Sequence, residues 1–215
     1  MGGRRQLTKL SASQRRLRML ARRLAWAGGI ALLLLVLALA DRAGFFGRPL
    51  RSDRYRYDGK AFQVVRVVDG DTLDIACPDR LRPTTRIRLL GVDTPETVKP
   101  DTPVQHFGPE ATAYVRRQVL GKVVTIELPE PRTRDRYGRL TAYVILPDGR
   151  NLSELIVAEG YGYADPRFAH PLARRFQRAQ RQAIKLRRGL WKEATAQDLP
   201  AYLREKVKLP ARPGS

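Results

Sequence analysis

The chain has 215 residues, room for one domain of ordinary size with appendages but not for two full enzymatic domains. Lysine and arginine number 41 against 21 aspartates and glutamates, a formal charge of +20, with a pI of about 11.0. That balance favours polyanionic partners such as nucleic acid or anionic lipid, and the single cysteine, Cys77, excludes an intramolecular disulfide and a cysteine-based zinc cluster.

Before Leu24 the chain carries Arg4, Arg5, Lys9, Arg15, Arg16, Arg18, Arg22 and Arg23 and no acid. Residues 24–40 then form an uninterrupted apolar or glycine run, closed by Asp41 and Arg42. Basic residues stay on the cytoplasmic side of a membrane, so the N-terminus is expected inside and everything after Asp41 translocated. The run is at the short end of the roughly 20 residues that span a bilayer. Ala38-Leu39-Ala40 fits a small-x-small cleavage pattern, but a leader of residues 1–23 is long for a cleaved signal. A retained transmembrane anchor is therefore preferred over a signal cleaved after Ala40. The domain lies on the extracytoplasmic side, periplasm or cell exterior, in the first case and is secreted in the second. The run lacks the amphipathicity expected of a buried core helix.

Residues 41–59 show no helical or strand period and read as a linker. From residue 62 the pattern becomes β-branched: a strand over 62–68, a turn at Asp69-Gly70-Asp71, and a second strand over 72–76 predict a hairpin. After a loop at 78–83, residues 84–92 predict a third strand, with Arg86, Arg88 and Leu90 on one face and Ile87 and Leu89 on the other. Gly108-Pro109-Glu110 opens a helix, with proline in the first turn and an acid at the positive end of the dipole, and Gly121 ends it. Residues 122–128 and 140–146 predict two more strands around a polar loop, 129–139. Asn151 with Glu154 resembles a capping box for a short helix reaching Gly160. A last helix over 171–188 sets Leu172, Phe176, Ala179, Ala183 and Leu186 on one face and Arg174, Arg175, Arg178, Arg181 and Arg188 on the other; Trp191 packs back after Gly189. Five short strands with a helix between the third and fourth suit a Greek-key barrel. The expected fold is α+β, a five-stranded OB-type β-barrel over residues 60–193 with about three α-helices. An N-terminal hydrophobic helix precedes it, and a tail over 194–215 follows.

Asp69, Asp71, Asp93 and Glu96 all sit at predicted strand ends, where four carboxylates make an oxygen-rich place for a hard cation. Taken singly they are common turn and strand-exit residues. Arg88, on the strand that leads to Asp93, changes the weighing, as does Arg139 at the start of the fifth strand. An arginine beside acids is either one half of an ion pair or a fork for phosphate oxygens. His106 and His170 are the only histidines, and neither has a partner at metal spacing. Both are expected to be structural or solvent-facing.

The stretches Val68-Asp69-Gly70-Asp71-Thr72, Ile87-Arg88-Leu89-Leu90-Gly91-Val92-Asp93-Thr94-Pro95-Glu96-Thr97 and Phe107-Gly108-Pro109-Glu110-Ala111 resemble staphylococcal nuclease and the thermonuclease family. Asp135-Arg136-Tyr137-Gly138-Arg139 and Leu190-Trp191 continue the resemblance in the family's order and spacing. It implies a Ca2+-dependent nuclease acting on DNA and RNA and leaving 3′ phosphates. Asp71 and Asp93 would bind the ion through carboxylates and Thr94 through its backbone carbonyl, with Asp69 supporting through water. Arg88, Glu96 and Arg139 would be catalytic, and Arg136 and Tyr137 would touch substrate, Tyr137 at a terminal phosphate. Tyr161, Tyr163 and Phe168 follow Gly160 in a register shifted from the family's base-covering tyrosines, so no assignment follows for them. The alternative is a non-catalytic OB module that binds nucleic acid or protein; the intact set of acids and arginines ranks it lower. A monomer, joined to the membrane through residues 24–40, completes the expectation.

Overall fold

The structure, a computed structural model, describes residues 12–42, 52–97, 105–129, 131–207 and 209. It divides into two compact units, residues 1–50 and residues 51–215. The first contains α1 (Ala12–Arg42), a helix of 31 residues that starts well before the apolar run. Its stretch Met19–Ala40, 22 residues of mean hydropathy 2.1 with none of that stretch buried, is long and apolar enough to cross a membrane.

The second unit opens with α2 (Asp53–Tyr57), capped by the Ser52 hydroxyl, which accepts from the Tyr55 N–H. Tyr57 is fully buried, and its hydroxyl shares a hydrogen bond of 2.9 Å with Thr85 Oγ1. Part of the segment expected to be linker is thus built into the domain. A single helical turn is too short to show a period in sequence. The first two residues of that linker, Asp41 and Arg42, end α1, and 43–51 lie outside the described residues.

Next come β1 (Lys60–Asp69), β2 (Thr72–Ile75), β3 (Thr85–Leu89) and β4 (Val92–Asp93), then α3 (Gly108–Val119), β5 (Val123–Glu127) and β6 (Leu140–Ile145). Five of these strands close into a barrel in the order β1-β2-β3-β6-β5. The expected α+β fold with its OB-type barrel and leading apolar helix is the fold observed. β1 pairs with both β2 and β5, and register shifts between Val64 and Arg66 and between Val67 and Asp69 bend it around the closure. β3 and β6 run parallel, with Ile87 opposite Leu140 and Arg88 opposite Thr141. Along β3 Thr85, Ile87 and Leu89 are buried while Arg86 and Arg88 are half-buried, the alternation expected from period two. The core gathers Val64, Leu73, Ile75, Ile87, Ile126 and Leu140, and α3 adds Val115 and Val119.

α4 (Leu152–Ala158), β7 (Tyr163–Ala164), α5 (Ala173–Lys185), a 3-10 turn at Gly189–Lys192 and α6 (Ala201–Arg204) complete the domain. The Asn151 side chain caps α4, accepting from the Glu154 N–H at 3.3 Å. The strand expected over 84–92 is broken. β3 ends at Leu89, Gly91 takes a φ of +77°, and β4 leaves the barrel to pair with β7. A side chain at Gly91 would lie 2.5 Å from the His170 ring. His170 is buried, with Nδ1 2.5 Å from the Tyr143 hydroxyl, while His106 is exposed, as the structural and solvent-facing readings require. Part of the segment expected as a tail is also built in; residues 208 and 210–215 lie outside the described residues. Leu199 and Leu203 are each 2% exposed, in a cluster with Tyr163, Ala183, Leu190 and Trp191.

Candidate active site

The turn at Gly91 sends the chain back across the end of β3, and this reversal brings Arg88 against the acids. Arg88 Nη2 lies 3.1 Å from Asp71 Oδ2 and 3.0 Å from Asp93 Oδ1. Its Nη1 donates to the Leu89 carbonyl at 2.8 Å and the Val92 carbonyl at 2.6 Å, so the guanidinium is gripped by the turn it helps to form. Asp71 is held from the β1–β2 hairpin: its carbonyl accepts from the Leu89 N–H at 2.9 Å. Its carboxylate accepts from the Thr72 hydroxyl at 2.9 Å and the Thr94 N–H at 3.3 Å. Two half-buried to buried carboxylates therefore converge with one guanidinium. Burial, then repulsion from Asp71, pushes the Asp93 carboxyl above the usual carboxylate value despite the opposing Arg88, Tyr202 and Arg167.

Gly70 makes the hairpin tight enough for this convergence. A Cβ there would come within 2.7 Å of Thr94 Oγ1, which is buried and without a hydrogen-bond partner. Among the described residues no group of three Asp, Glu, His or Cys side chains forms a metal cage. The donors here are Asp71, Asp93 and the neighbouring Thr94 backbone, a set made of oxygen. Such a set fits Ca2+, which accepts carbonyls and waters beside a small number of carboxylates, and does not fit zinc.

Asp69 points elsewhere. One of its oxygens accepts from the Gly70 N–H at 2.7 Å, the Thr97 hydroxyl at 2.7 Å and the Thr112 hydroxyl at 3.1 Å. Burial raises the Asp69 carboxyl above its usual value; the Thr97 and Gly70 hydrogen bonds oppose this, and the adjacent Glu96 carboxyl adds to it. Asp69 and Glu96 are thus one acidic pair tied to α3. The backbone of Glu96 is clamped on Gln105, its N–H donating to Oε1 at 2.9 Å while its carbonyl accepts from the Gln105 N–H at 2.9 Å. Residues 98–104, between them, lie outside the described residues.

Arg139 arrives on the neighbouring strand, one residue before Leu140, whose partner in β3 is Ile87. Asp135 organises it. One Asp135 oxygen accepts from the backbone N–H groups of Tyr137 and Arg139 at 2.9 and 3.0 Å, and the other accepts from Arg139 Nε at 2.7 Å. Arg136 and Tyr137 stand exposed at the loop tip, with Arg136 Nη2 donating to the Tyr137 hydroxyl at 2.6 Å. Behind the loop, Arg134 bridges Asp53 and Asp79 at 2.8 and 2.7 Å and donates to the Gly138 carbonyl at 2.9 Å. Asp135 was visible in sequence as part of its motif, without a role. Arg134 carried no signal, because its partners come from remote segments.

Of the aromatics after Gly160, Tyr161 stacks on Tyr114 with ring centres 4.0 Å apart, Tyr163 packs edge-on against Trp191, and Phe168 is exposed. Sequence reasoning also missed two residues that touch Asp93. The Tyr202 hydroxyl donates to Asp93 Oδ2 at 2.7 Å, and Arg167 Nη2 lies 3.0 Å from the same oxygen. Burial and the Asp93 charge push the Tyr202 phenol upward, so it keeps its proton and remains a donor.

Comparison with known proteins matches residues 86–193 to the family described as Staphylococcal nuclease homologue. A thermonuclease of Staphylococcus hyicus is 39% identical over 136 residues, which cover 61% of this chain and 76% of that protein. A thermonuclease of Staphylococcus intermedius is 35% identical over 146 residues, 66% of this chain and 83% of that protein. An uncharacterized endonuclease of Escherichia coli O157:H7 is 35% identical over 133 residues, 61% of this chain and 77% of that protein. With the barrel, the acid–arginine cluster and this extent of identity in agreement, the chain belongs to the staphylococcal nuclease homologue family.

Proposed function

We propose that this nuclease hydrolyses the phosphodiester bonds of DNA and RNA with little sequence specificity, in a Ca2+-dependent reaction that leaves 3′ phosphates. The observation that carries the reading is the placement of Arg88 between Asp71 and Asp93, with Arg139 held by Asp135 at the start of the adjoining strand. Asp71, Asp93 and the Thr94 carbonyl would hold the ion, which when bound neutralises charge on the phosphoryl group. Arg88, whose Nη2 the two carboxylates now share, would turn that nitrogen together with Nε toward the same phosphoryl oxygens. Glu96, seated beside Asp69 and clamped by Gln105, takes the proton of the attacking water or holds that water in line. Arg139 stabilises the charge that develops as the bond to the 5′ oxygen breaks. Arg136 and Tyr137, exposed on the Arg139 loop, meet a terminal phosphate. α1 retains the chain in the membrane with the catalytic unit on the extracytoplasmic side.

The test is degradation of plasmid, single-stranded DNA and RNA by the full chain in detergent, with Ca2+ and with chelator. Activity on all three that stops in chelator is expected, as is its loss in Glu96→Ser combined with Arg139→Ala. Equal degradation in chelator, or a fully active double variant, refutes the reading. N-terminal sequencing of the cell-derived protein reads the anchor separately: a chain beginning after Ala40 means cleavage.

A further inference from the structure

The segment after residue 193 lies beyond the residues that match the family, yet it reaches the acid pair. The Asp93 carboxylate divides its two oxygens between two sets of partners. Oδ1 faces Arg88 Nη2, which Asp71 shares. Oδ2 accepts from the Tyr202 hydroxyl at 2.7 Å and pairs with Arg167 Nη2 at 3.0 Å. Arg167 is itself fixed: Nε and Nη2 fork onto Asp165 at 2.9 and 2.8 Å, and its guanidinium lies 4.2 Å from the centre of the Tyr202 ring. Tyr202 is seated from the other side by the buried neighbours Leu199 and Leu203. Their cluster includes Tyr163, the residue opposite Asp93 in the β4–β7 pair.

We infer that Tyr202, seated by Arg167 and the C-terminal segment, is a positioning residue for the cation site, holding Oδ2 of Asp93 so that Oδ1 stays turned toward Asp71. The inference rests on the reading of Asp71 and Asp93 as cation ligands. The terminal torsion of an aspartate is broad and roughly two-fold, so the backbone of β4 alone does not fix which way the half-buried Asp93 carboxylate turns. A hydrogen bond to one oxygen selects one orientation before the ion arrives and removes that ordering cost from binding. Groups behind a metal ligand commonly contribute about 10–100-fold in affinity. The contacts that Tyr202 makes near the acids are to Asp93 and Arg167. Tyr202 acts through Asp93, and it makes residues 199–203 part of a site otherwise built around the β1–β2 turn, β3 and β4.

The experiment is calorimetric titration of Ca2+ into the full chain in detergent, without substrate, for wild type, Tyr202→Phe and Asp93→Ala. Phenylalanine keeps the ring against Arg167 and removes only the hydroxyl, and titrations are run well below each protein's melting midpoint. Expected are a binding isotherm for wild type, its loss in Asp93→Ala, and a Kd about tenfold or more weaker in Tyr202→Phe. Melting of Tyr202→Phe in chelator is expected to stay near wild type. A Tyr202→Phe Kd within about twofold of wild type overturns the inference while the reading of the acid pair stands. A wild type that binds no Ca2+, or an Asp93→Ala that binds it as wild type does, overturns that reading and the inference with it.

Discussion

Replacing Arg134 with alanine removes a guanidinium that makes five hydrogen bonds: two to Asp53, two to Asp79 and one to the Gly138 carbonyl. The side chains concerned are 17%, 12% and 13% exposed, so the variant leaves two carboxylates together with little water and only Arg56 as a weaker counter-charge to Asp53. Breaking a buried pair by deleting one partner costs about 3–5 kcal/mol; the residual exposure here lowers that to about 2–4 kcal/mol. For a domain of this size each kcal/mol moves the melting midpoint by about 2–4 °C, giving a fall of roughly 5–15 °C. The loss should depend on pH. Burial pushes the Asp53 carboxyl up, but hydrogen bonds from Arg134 and Thr133 outweigh it and hold the carboxyl below its usual 3.8. A depressed folded-state value contributes stability that is fully present above the unfolded value and is lost as pH falls through the folded one. The gap between wild type and Arg134→Ala should therefore be full at pH 7 and shrink as the pH drops below about 4. Near-UV circular dichroism melts in chelator measure it on the tertiary packing without interference from α1. A midpoint within about 2 °C of wild type at pH 7, or a gap that persists undiminished at pH 3, refutes the reasoning.

Two further outcomes follow from the acid and arginine contacts. Asp135→Ala frees Arg139 Nε and two loop N–H groups while leaving the guanidinium present, so kcat on an oligonucleotide should fall about 10²-fold through misplacement alone; an unchanged kcat refutes the positioning. Asp93→Asn should abolish hydrolysis and yet raise the midpoint in chelator at pH 7. The folded-state carboxyl of Asp93 is raised, so its ionisation weighs against folding at every pH above its unfolded value, and asparagine removes that charge. The advantage should vanish below about pH 4, where both proteins are neutral at this position, and a lower midpoint at pH 7 would falsify the sign of this argument.

The barrel was legible because β-branched runs between clear turns mark its strands, β3 and β5 alternate with period two, and its helices announce their ends. Pro109 and Glu110 open α3, Asn151 caps α4, and Asp69-Gly70-Asp71 marks the β1–β2 turn. What escaped was either too short to carry a period or defined by remote contact. α2 and α6 are helices of 5 and 4 residues whose burial depends on single side chains, Tyr57 and Leu203. The break at Gly91 hid inside an apolar run that reads as one strand. Only the fit of His170 over that glycine shows why the chain turns there. At the site, Arg88, Asp71 and Asp93 meet as their strand-end positions suggested, because the parity of β3 and the hairpin turn are local properties. Tyr202 and Arg167 could not be foreseen: nothing within reach in sequence ties a tail tyrosine to a carboxylate 109 positions earlier.

The way the barrel closes also governs when the protein can begin to fold as it is made. β1 is the first strand to emerge, but residues 60–63 pair with residues 123–126, and one edge of β3 waits for β6. Pairings so distant along the chain are slow to form and reward nothing until both halves are present. Until then the nascent domain is limited to its hairpins. Arg88 and the start of β6 beside Arg139 have not met, and Asp93 lacks Tyr202 until a segment 109 positions further on has been added. The full cluster around Asp71, Asp93, Arg88 and Arg139 is therefore complete only after residue 202 has emerged.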